Sequence, residues 1–278
     1  MASTSCERGP RQAPEFGPEQ NGPIIVGVDA GIAHLTLNNP RRKNAITPDM
    51  AELIESFCDR VAADETIGAV VMDATGDYFC SGADTRDLGL SSANPASTEA
   101  IARTSALYSA FVRVGTLPVP TVAVVTGGAV GAGLNLVMAA DVVLVTADAV
   151  LDSGFVARGI HPGGGHFSLL GRSLNRQHAM ALGALGVPLS GEQAVHLGLA
   201  WKTCPSETIH AEAEALVRFA AGDPMLARRV KKSAALQLDS PRASWAAGIE
   251  LERGVQIWSL GRKGEAGWQR KPSEPTAT

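Results

Sequence analysis

The chain has 278 residues and 28.8 kDa of mass, and 30 of its residues are glycine, about 11 % against a usual share of roughly 7 %. A net charge of −4 and a pI near 5.9 argue against a general nucleic-acid binder, and no run of about 18 apolar residues marks a membrane span. Four scattered cysteines (Cys6, Cys58, Cys80, Cys204) without a C-x-x-C fit neither a disulfide framework nor a zinc ribbon. The amino end lacks a basic region followed by an apolar run, so no secretory signal is expected and a reducing cytoplasm is the simplest compartment.

Residues 1–23 carry three glycines and four prolines without periodicity and read as a mobile tail, as does PSEPTAT at 272–278. From residue 24, IIVGVDAGIAHLTLNN reads as a hairpin turning at Asp29-Ala30-Gly31, with Ile32–Leu37 as its second strand. After the loop NPRRKNAI, Thr47 supplies an N-cap and Pro48 a first helical position. Met50, Leu53, Ile54, Phe57 and Val61 then recur at helical spacing. Ala69–Met72, Val122–Val125 and Val142–Val145 read as short buried strands, with GAGLNLVMAA between the last two as a core helix. Ser190 and Gln193 have capping-box spacing ahead of an apolar run. Beyond about residue 207 the strands stop. Three helices are expected, over ETIHAEAEALVRFAA, PMLARRVKKSAALQL and PRASWAAGIELERGVQIWSL, with Pro224 and Pro241 near two of their starts. Helices beside strands throughout argue an α/β fold with a helical C-terminal region.

Ten of the glycines fall within residues 127–171, about twice an even share, in two runs that follow strands. TGGAVGAGL opens one helix and RGIHPGGGHFSLLG a second. Tight turns and close packing are one reading of them. A phosphate loop is a poor one: no G-x-x-x-x-G-K-[ST] is present, and Gly131-x-Gly133 is followed by Asn135-Leu136 rather than the third glycine of a dinucleotide fingerprint. The third reading is backbone N–H groups at a helix start aimed at an oxyanion.

Five segments in order, NPRRKNAI, YFCSGADTRDL, TGGAVGAGLNLVMAAD, GIHPGGGHFSLL and LSGEQAVHLGLAWK, resemble the crotonase (enoyl-CoA hydratase/isomerase) superfamily over about residues 24–270. The resemblance implies a spiral of repeated β-β-α units over 24–205 and a helical region over 206–271 that packs homotrimers, often paired into hexamers. It implies acyl-CoA thioester substrates and no separate cofactor or metal. Two amides, here those of Ala83 and Ala132, would hold the thioester oxygen and stabilise an enolate. Lys43–Ala45 and Ser81–Thr85 match the part bordering coenzyme A, so Arg42, Lys43, Ala45, Ser81, Gly82, Asp84, Thr85 and Gly131 are the expected binding residues. Arg41, Arg42 and Lys43 either meet the CoA phosphates or form a solvated turn.

The departures bear on the chemistry. Hydratases of this family place one glutamate in the helix after the first glycine loop and a second just before the next. Here those positions hold Asn135 and Phe155, neither of which exchanges a proton at neutral pH. Asp152 is the best substitute base and is otherwise a cap or strand-end carboxylate. Asn135 could orient a water but not deprotonate it. His161 and His166 titrate in a useful range, with a hydrogen-bonding role at least as well supported, and two histidines with no third ligand make no catalytic zinc site. Cys80 reads as packing rather than a nucleophile, and Trp258 and Trp268 as core or subunit contacts. Three functions follow: an enolate-stabilising CoA-ester enzyme that is a poor hydratase (isomerase, thioester hydrolase or decarboxylase), a hydratase with relocated acid/base groups, or a non-catalytic acyl-CoA-binding protein.

Overall fold

The computed structural model describes residues 22–238 and 245–268. Of the tails expected over 1–23 and 272–278, residues 1–21 and 272–278 lie outside those residues, as do Cys6 and Pro241. Strand β1 (Ile24–Asp29) pairs antiparallel with β2 (Ile32–Leu37) through the expected turn. Helix α1 (Pro48–Ala63) starts on Thr47, whose hydroxyl accepts the Met50 N–H, and buries Met50, Ile54, Phe57 and Val61.

From there the chain winds in turns that each lay one strand on each of two sheets. The first turn is β3 (Ala69–Ala74) and β4 (Tyr78–Cys80), followed by α2 (Thr85–Ala93) and α3 (Thr98–Gly115). The second is β5 (Thr121–Val125), β6 (Gly128–Val130) and α4 (Ala132–Ala139). The third is β7 (Val142–Val145), β8 (Val150–Asp152), α5 (His166–Ser173) and α6 (Arg176–Gly183). The last comprises β9 (Leu189–Ser190), α7 (Gly191–Leu197) and β10 (Lys202–Thr203). One sheet runs β1-β2-β3-β5-β7-β10 and the other β4-β6-β8-β9. This is the expected α/β spiral of β-β-α units. Sequence reading located the large sheet but passed over 85–115 and most of the small sheet. Its strands β4, β6 and β8 are three residues each, too short to carry a period.

Alternation along the large sheet divides the core. Val70, Met72, Ala123 and Val125 face α1, α3 and α4, while Val71, Val122, Val124 and Leu144 face the other way. That second face is covered by Ile209, Ala213 and Val217 of α8 (Ile209–Gly222), the first of three C-terminal helices. Helices α9 (Pro224–Leu238) and α10 (Trp245–Lys263) complete the expected trio, and the Ser190–Gln193 capping box is formed in full.

Helix α10 reaches back to the glycine run at 163–165. Trp245 Nε1 donates to the Gly164 carbonyl at 2.7 Å. The buried Glu252 carboxylate accepts the N–H groups of Gly165, His166 and Phe167 at 2.8, 3.0 and 3.1 Å. Those are the orphan donors at the start of α5, capped from a distant helix because Gly165 has no side chain to do it. A β-carbon on Gly165 would lie 2.2 Å from the Trp245 ring, so glycine is required by close approach. Burial pushes the Glu252 pKa above its ordinary value even though the three N–H donors pull it down. Replacement by Ala strands three donors. Glu252→Ala is expected to lose about 2–4 kcal/mol of stability in urea unfolding, with Glu252→Gln losing less.

Candidate active site

The loop before α1 is strapped in place by one buried side chain. Asn44 Nδ2 donates to the carbonyls of Thr75 and Tyr78 at 2.9 and 2.7 Å, and its Oδ1 accepts the Asn39 N–H at 2.7 Å. Lys43 and Asn44 both take positive φ, which turns Lys43 and Ala45 toward the segment after β4. The Ser81 N–H then donates to the Lys43 carbonyl, Ile46 N–H to Gly82, and Asp84 N–H to Ile46. In that parallel bridge the N–H of Ala83 points away from Ile46.

The amino end of α4 arrives beside it. Gly131 holds φ +57°, a conformation that side chains disfavour, and its N–H donates to the Asp152 carbonyl at 2.9 Å. Ala132 is the first residue of the helix, so its N–H has no intrahelical acceptor. A β-carbon on Gly82 would lie 3.7 Å from the Ala132 nitrogen, which places the two segments in contact.

Ala83 and Ala132 both line a cavity of about 400 Å³. Of the expected residues, Arg42, Lys43, Ala45, Ser81, Gly82, Ala83, Thr85, Gly131, Ala132, Asn135 and Phe155 line it, and Arg41 joins them. Two do not. Asp84 is fully buried as the N-cap of α2, paired with Arg42 at 2.8 Å and Arg86 at 3.2 Å. Burial raises its pKa, but the hydrogen bonds and charges of Arg86 and Arg42 outweigh that and hold it below the ordinary value. Its place is to steady Arg42. Asp152 lies outside the lining, and its Oδ1 accepts the Gly154 N–H at 2.8 Å, the cap alternative raised by the sequence. Cys80 is buried and burial pushes its thiol up to about 12, so it packs and does not attack. Trp268 packs in a small cluster with Phe155, Ile160 and Leu260, and Trp258 is exposed.

The remaining wall comes from places that sequence reading missed. Leu107, Tyr108 and Phe111 come from α3, Ile160 from the second glycine loop, and Gln256 from α10. The Tyr108 hydroxyl donates to Gln256 Oε1. The signal for α3 was present in Ser97, an N-cap ahead of Ala100, Leu107, Phe111 and Val114 at helical spacing. Gln256 carries no such signal, because only the fold brings it 93 residues back to Gly163.

Asn135 has two buried protein partners. Its Nδ2 donates to the Gly163 carbonyl at 2.8 Å, so its Oδ1 is left to accept from His166 Nδ1 at 2.7 Å. The other ring nitrogen, Nε2, then accepts the Ser153 hydroxyl. Ser153, His166 and Asn135 are each about 1 % exposed or less, and the Phe155 ring meets His166 edge-on at 5.1 Å. Burial, helped by the charge of His161, lowers the His166 pKa to about 3. The imidazole is therefore neutral and tautomerically fixed, and serves as a hydrogen-bonding post. His161 binds its own loop instead, with Nδ1 2.6 Å from the Pro162 carbonyl. No group of three or more metal-ligating side chains exists among the described residues. Among the described residues, no Asp, Glu or His lines the cavity.

A family model described as Enoyl-CoA hydratase/isomerase matches residues 27–256. A protein named probable enoyl-CoA hydratase EchA14 from Mycobacterium tuberculosis is 39 % identical over 181 residues, 65 % of this chain and 69 % of its own. A 1,2-epoxyphenylacetyl-CoA isomerase from Escherichia coli is 33 % identical over 202 residues, 72 % of this chain and 77 % of its own. The crystal structure of an enoyl-CoA hydratase/isomerase from Mycobacterium paratuberculosis superposes with a TM-score of 0.79 at 22 % identity. That match covers 90 % of this chain and 98 % of the other, a likeness of fold.

The neutral His166 leaves a thermodynamic trace. Its folded pKa near 3 lies below the ordinary 6.5, so the unfolded chain binds the proton first and stability falls as pH drops from about 6.5 toward 3. From pH 6.5 to 4 the loss should total up to about 3 kcal/mol. Glu252, with its raised pKa, acts in the opposite sense, losing stability as pH rises, and cancels when two variants are compared. Urea unfolding of the wild type and His166→Gln across pH 4–7 should show the extra slope only in the wild type.

Proposed function

The chain belongs to the enoyl-CoA hydratase/isomerase family, and from that premise we propose that it acts on acyl-CoA thioesters by stabilising negative charge at the thioester oxygen. The observation that carries this reading is that Ala83 and Ala132, whose N–H groups have no acceptor among the described residues, line one cavity. Donors already in place where charge develops cost no reorganisation during the reaction, and each is worth about 10²–10³ in rate. Arg41, Arg42 and Lys43 at the same cavity suit the phosphates of coenzyme A. No cofactor beyond the CoA ester itself is required by this scheme.

Efficient hydration does not fit. Adding water across an enoyl bond uses a general base and a proton donor, each worth about 10²–10⁴, and the cavity wall offers no carboxylate and no imidazole. Less demanding reactions remain: double-bond isomerisation with one proton carrier, or thioester hydrolysis or decarboxylation with an activated water or the substrate itself. The same bare wall favours one second reading, a protein that binds acyl-CoA without turning it over.

The C-terminal helices support assembly. Met225, Leu226 and Val230 on α9 and Leu251, Val255 and Trp258 on α10 are large apolar side chains left exposed. We infer a homotrimer or a dimer of trimers, with a cytoplasmic location; no helix among the described residues is long and apolar enough to cross a membrane.

Two experiments test these readings. Turnover over an acyl-CoA panel should be found for at least one ester, with crotonyl-CoA hydration very slow. Ala132→Pro keeps a residue suited to the first helical turn but deletes the N–H, and should cut that turnover by about 10²–10³. Fast crotonyl-CoA hydration, lost in Asp152→Asn but kept in Ser153→Ala, would replace this scheme with a relocated hydratase. Tight binding of every ester with no turnover would leave the binding protein. Light scattering should give the mass of a trimer or hexamer, and a stable monomer at micromolar concentration contradicts the assembly.

A further inference from the structure

The cavity carries charge of one sign. Arg41, Arg42, Lys43 and Arg158 line it, and no acidic side chain does. Arg42 is neutralised by Asp84. Arg158 is not: among the described residues, no carboxylate lies within 4.0 Å of its guanidinium. What fixes Arg158 is a carbonyl. Its Nη1 donates to Gly154 at 2.9 Å, beside Phe155, a position whose side chain brings no charge.

A second cation stands behind it. The Lys263 ammonium donates to the Arg158 main-chain carbonyl and rests 4.3 Å from the Trp268 ring centroid. Burial and the charge of Arg158 together lower the Lys263 pKa, so the two cations feel each other. A carbonyl and an aromatic face complete a cation's contacts without cancelling its charge. Arg158, itself exposed, thus stands at the cavity wall with Lys263 behind it, and neither has a counter-ion among the described residues, an arrangement that suits an incoming anion. The planar fork of a guanidinium selects a carboxylate or a phosphate.

We propose that Arg158, backed by Lys263, binds a carboxylate carried by the acyl group, so that the preferred substrates are coenzyme A monothioesters of dicarboxylic acids. This inference rests on the acyl-CoA reading above. It places the anion on the acyl side because Arg158 shares its wall with Phe155 and Ile160, apolar groups with nothing to offer a nucleotide phosphate, whereas Arg41–Lys43 form a separate cationic loop.

Calorimetric titration of the full chain with free coenzyme A, butyryl-CoA, succinyl-CoA and glutaryl-CoA tests it. The wild type should bind succinyl- or glutaryl-CoA at least about 10-fold more tightly than butyryl-CoA, the scale of one charge-assisted pair. Arg158→Gln should bring that ratio to about 1, and Lys263→Gln, from outside the cavity lining, should lower it in part. Arg158→Lys, which keeps the charge but not the fork, should retain some of it. A wild-type ratio near 1, with butyryl-CoA still bound, overturns the inference and leaves the acyl-CoA reading standing. Equal weakening of free coenzyme A and carboxyacyl-CoA in both variants also overturns it, since the anion is then a CoA phosphate. A wild type that binds no CoA ester removes the acyl-CoA reading itself, and this inference with it.

Discussion

The seating of helix α4 against strand β4 governs the rest of this structure. A β-carbon on Gly133 would lie 2.3 Å from the Cys80 carbonyl oxygen and 2.7 Å from its Cβ, so only glycine lets the helix come this close. That approach brings the Ala132 N–H beside the segment Gly82–Ala83 and makes one cavity from two distant stretches of chain. It also fixes where Asn135 stands, one turn further along the helix. The small sheet serves the same end, because β4, β6 and β8 run parallel and deliver Ser81, Gly131 and Ser153 to one edge. Part of the glycine excess therefore reflects close backbone approach at this location.

Around that location the chain has replaced titrating groups with fixed ones. Asn135, His166 and Ser153 form a hydrogen-bonded line in which no member is charged at neutral pH. A buried line of this kind rigidifies its surroundings, since breaking any bond leaves a costly orphan. Asp152 and Glu252, the acids nearest the two glycine loops, are both spent on backbone N–H groups. On the proposed reading, the site is built to respond to charge on the substrate, and among the described residues no Asp, Glu or His lines it.

Much of this was legible in the residues. The hairpin, the Thr47–Pro48 helix start, the large-sheet strands, the capping box and the C-terminal helices all carry local signals of cap chemistry or apolar period. The lining residues drawn from the two loops before and after β4 and β6 were legible through the motifs they occupy. What stayed hidden depends on distance along the chain. Asp84 is a motif residue, yet its burial beneath Arg42 and Arg86 appears only once α2 is in place. The Ser153–His166–Asn135 line joins separate elements, Glu252 acts on a loop 87 residues earlier, and Gln256 accepts from Tyr108, 148 residues earlier. No periodicity reports such pairings, because each partner satisfies its own helix equally well without the other.

Helix α10 supplies one wall of the cavity through Gln256 and clamps the glycine run through Glu252 and Trp245, yet it lies near the end of the chain. Synthesis proceeds from the amino terminus, so both sheets and the paired amides can assemble before α10 exists. During that interval the floor of the cavity is present while one wall is missing and three N–H groups at the start of α5 face water. The nascent protein thus carries an open trough that closes only when α10 is made, and chains cut short before residue 252 would keep that trough for good.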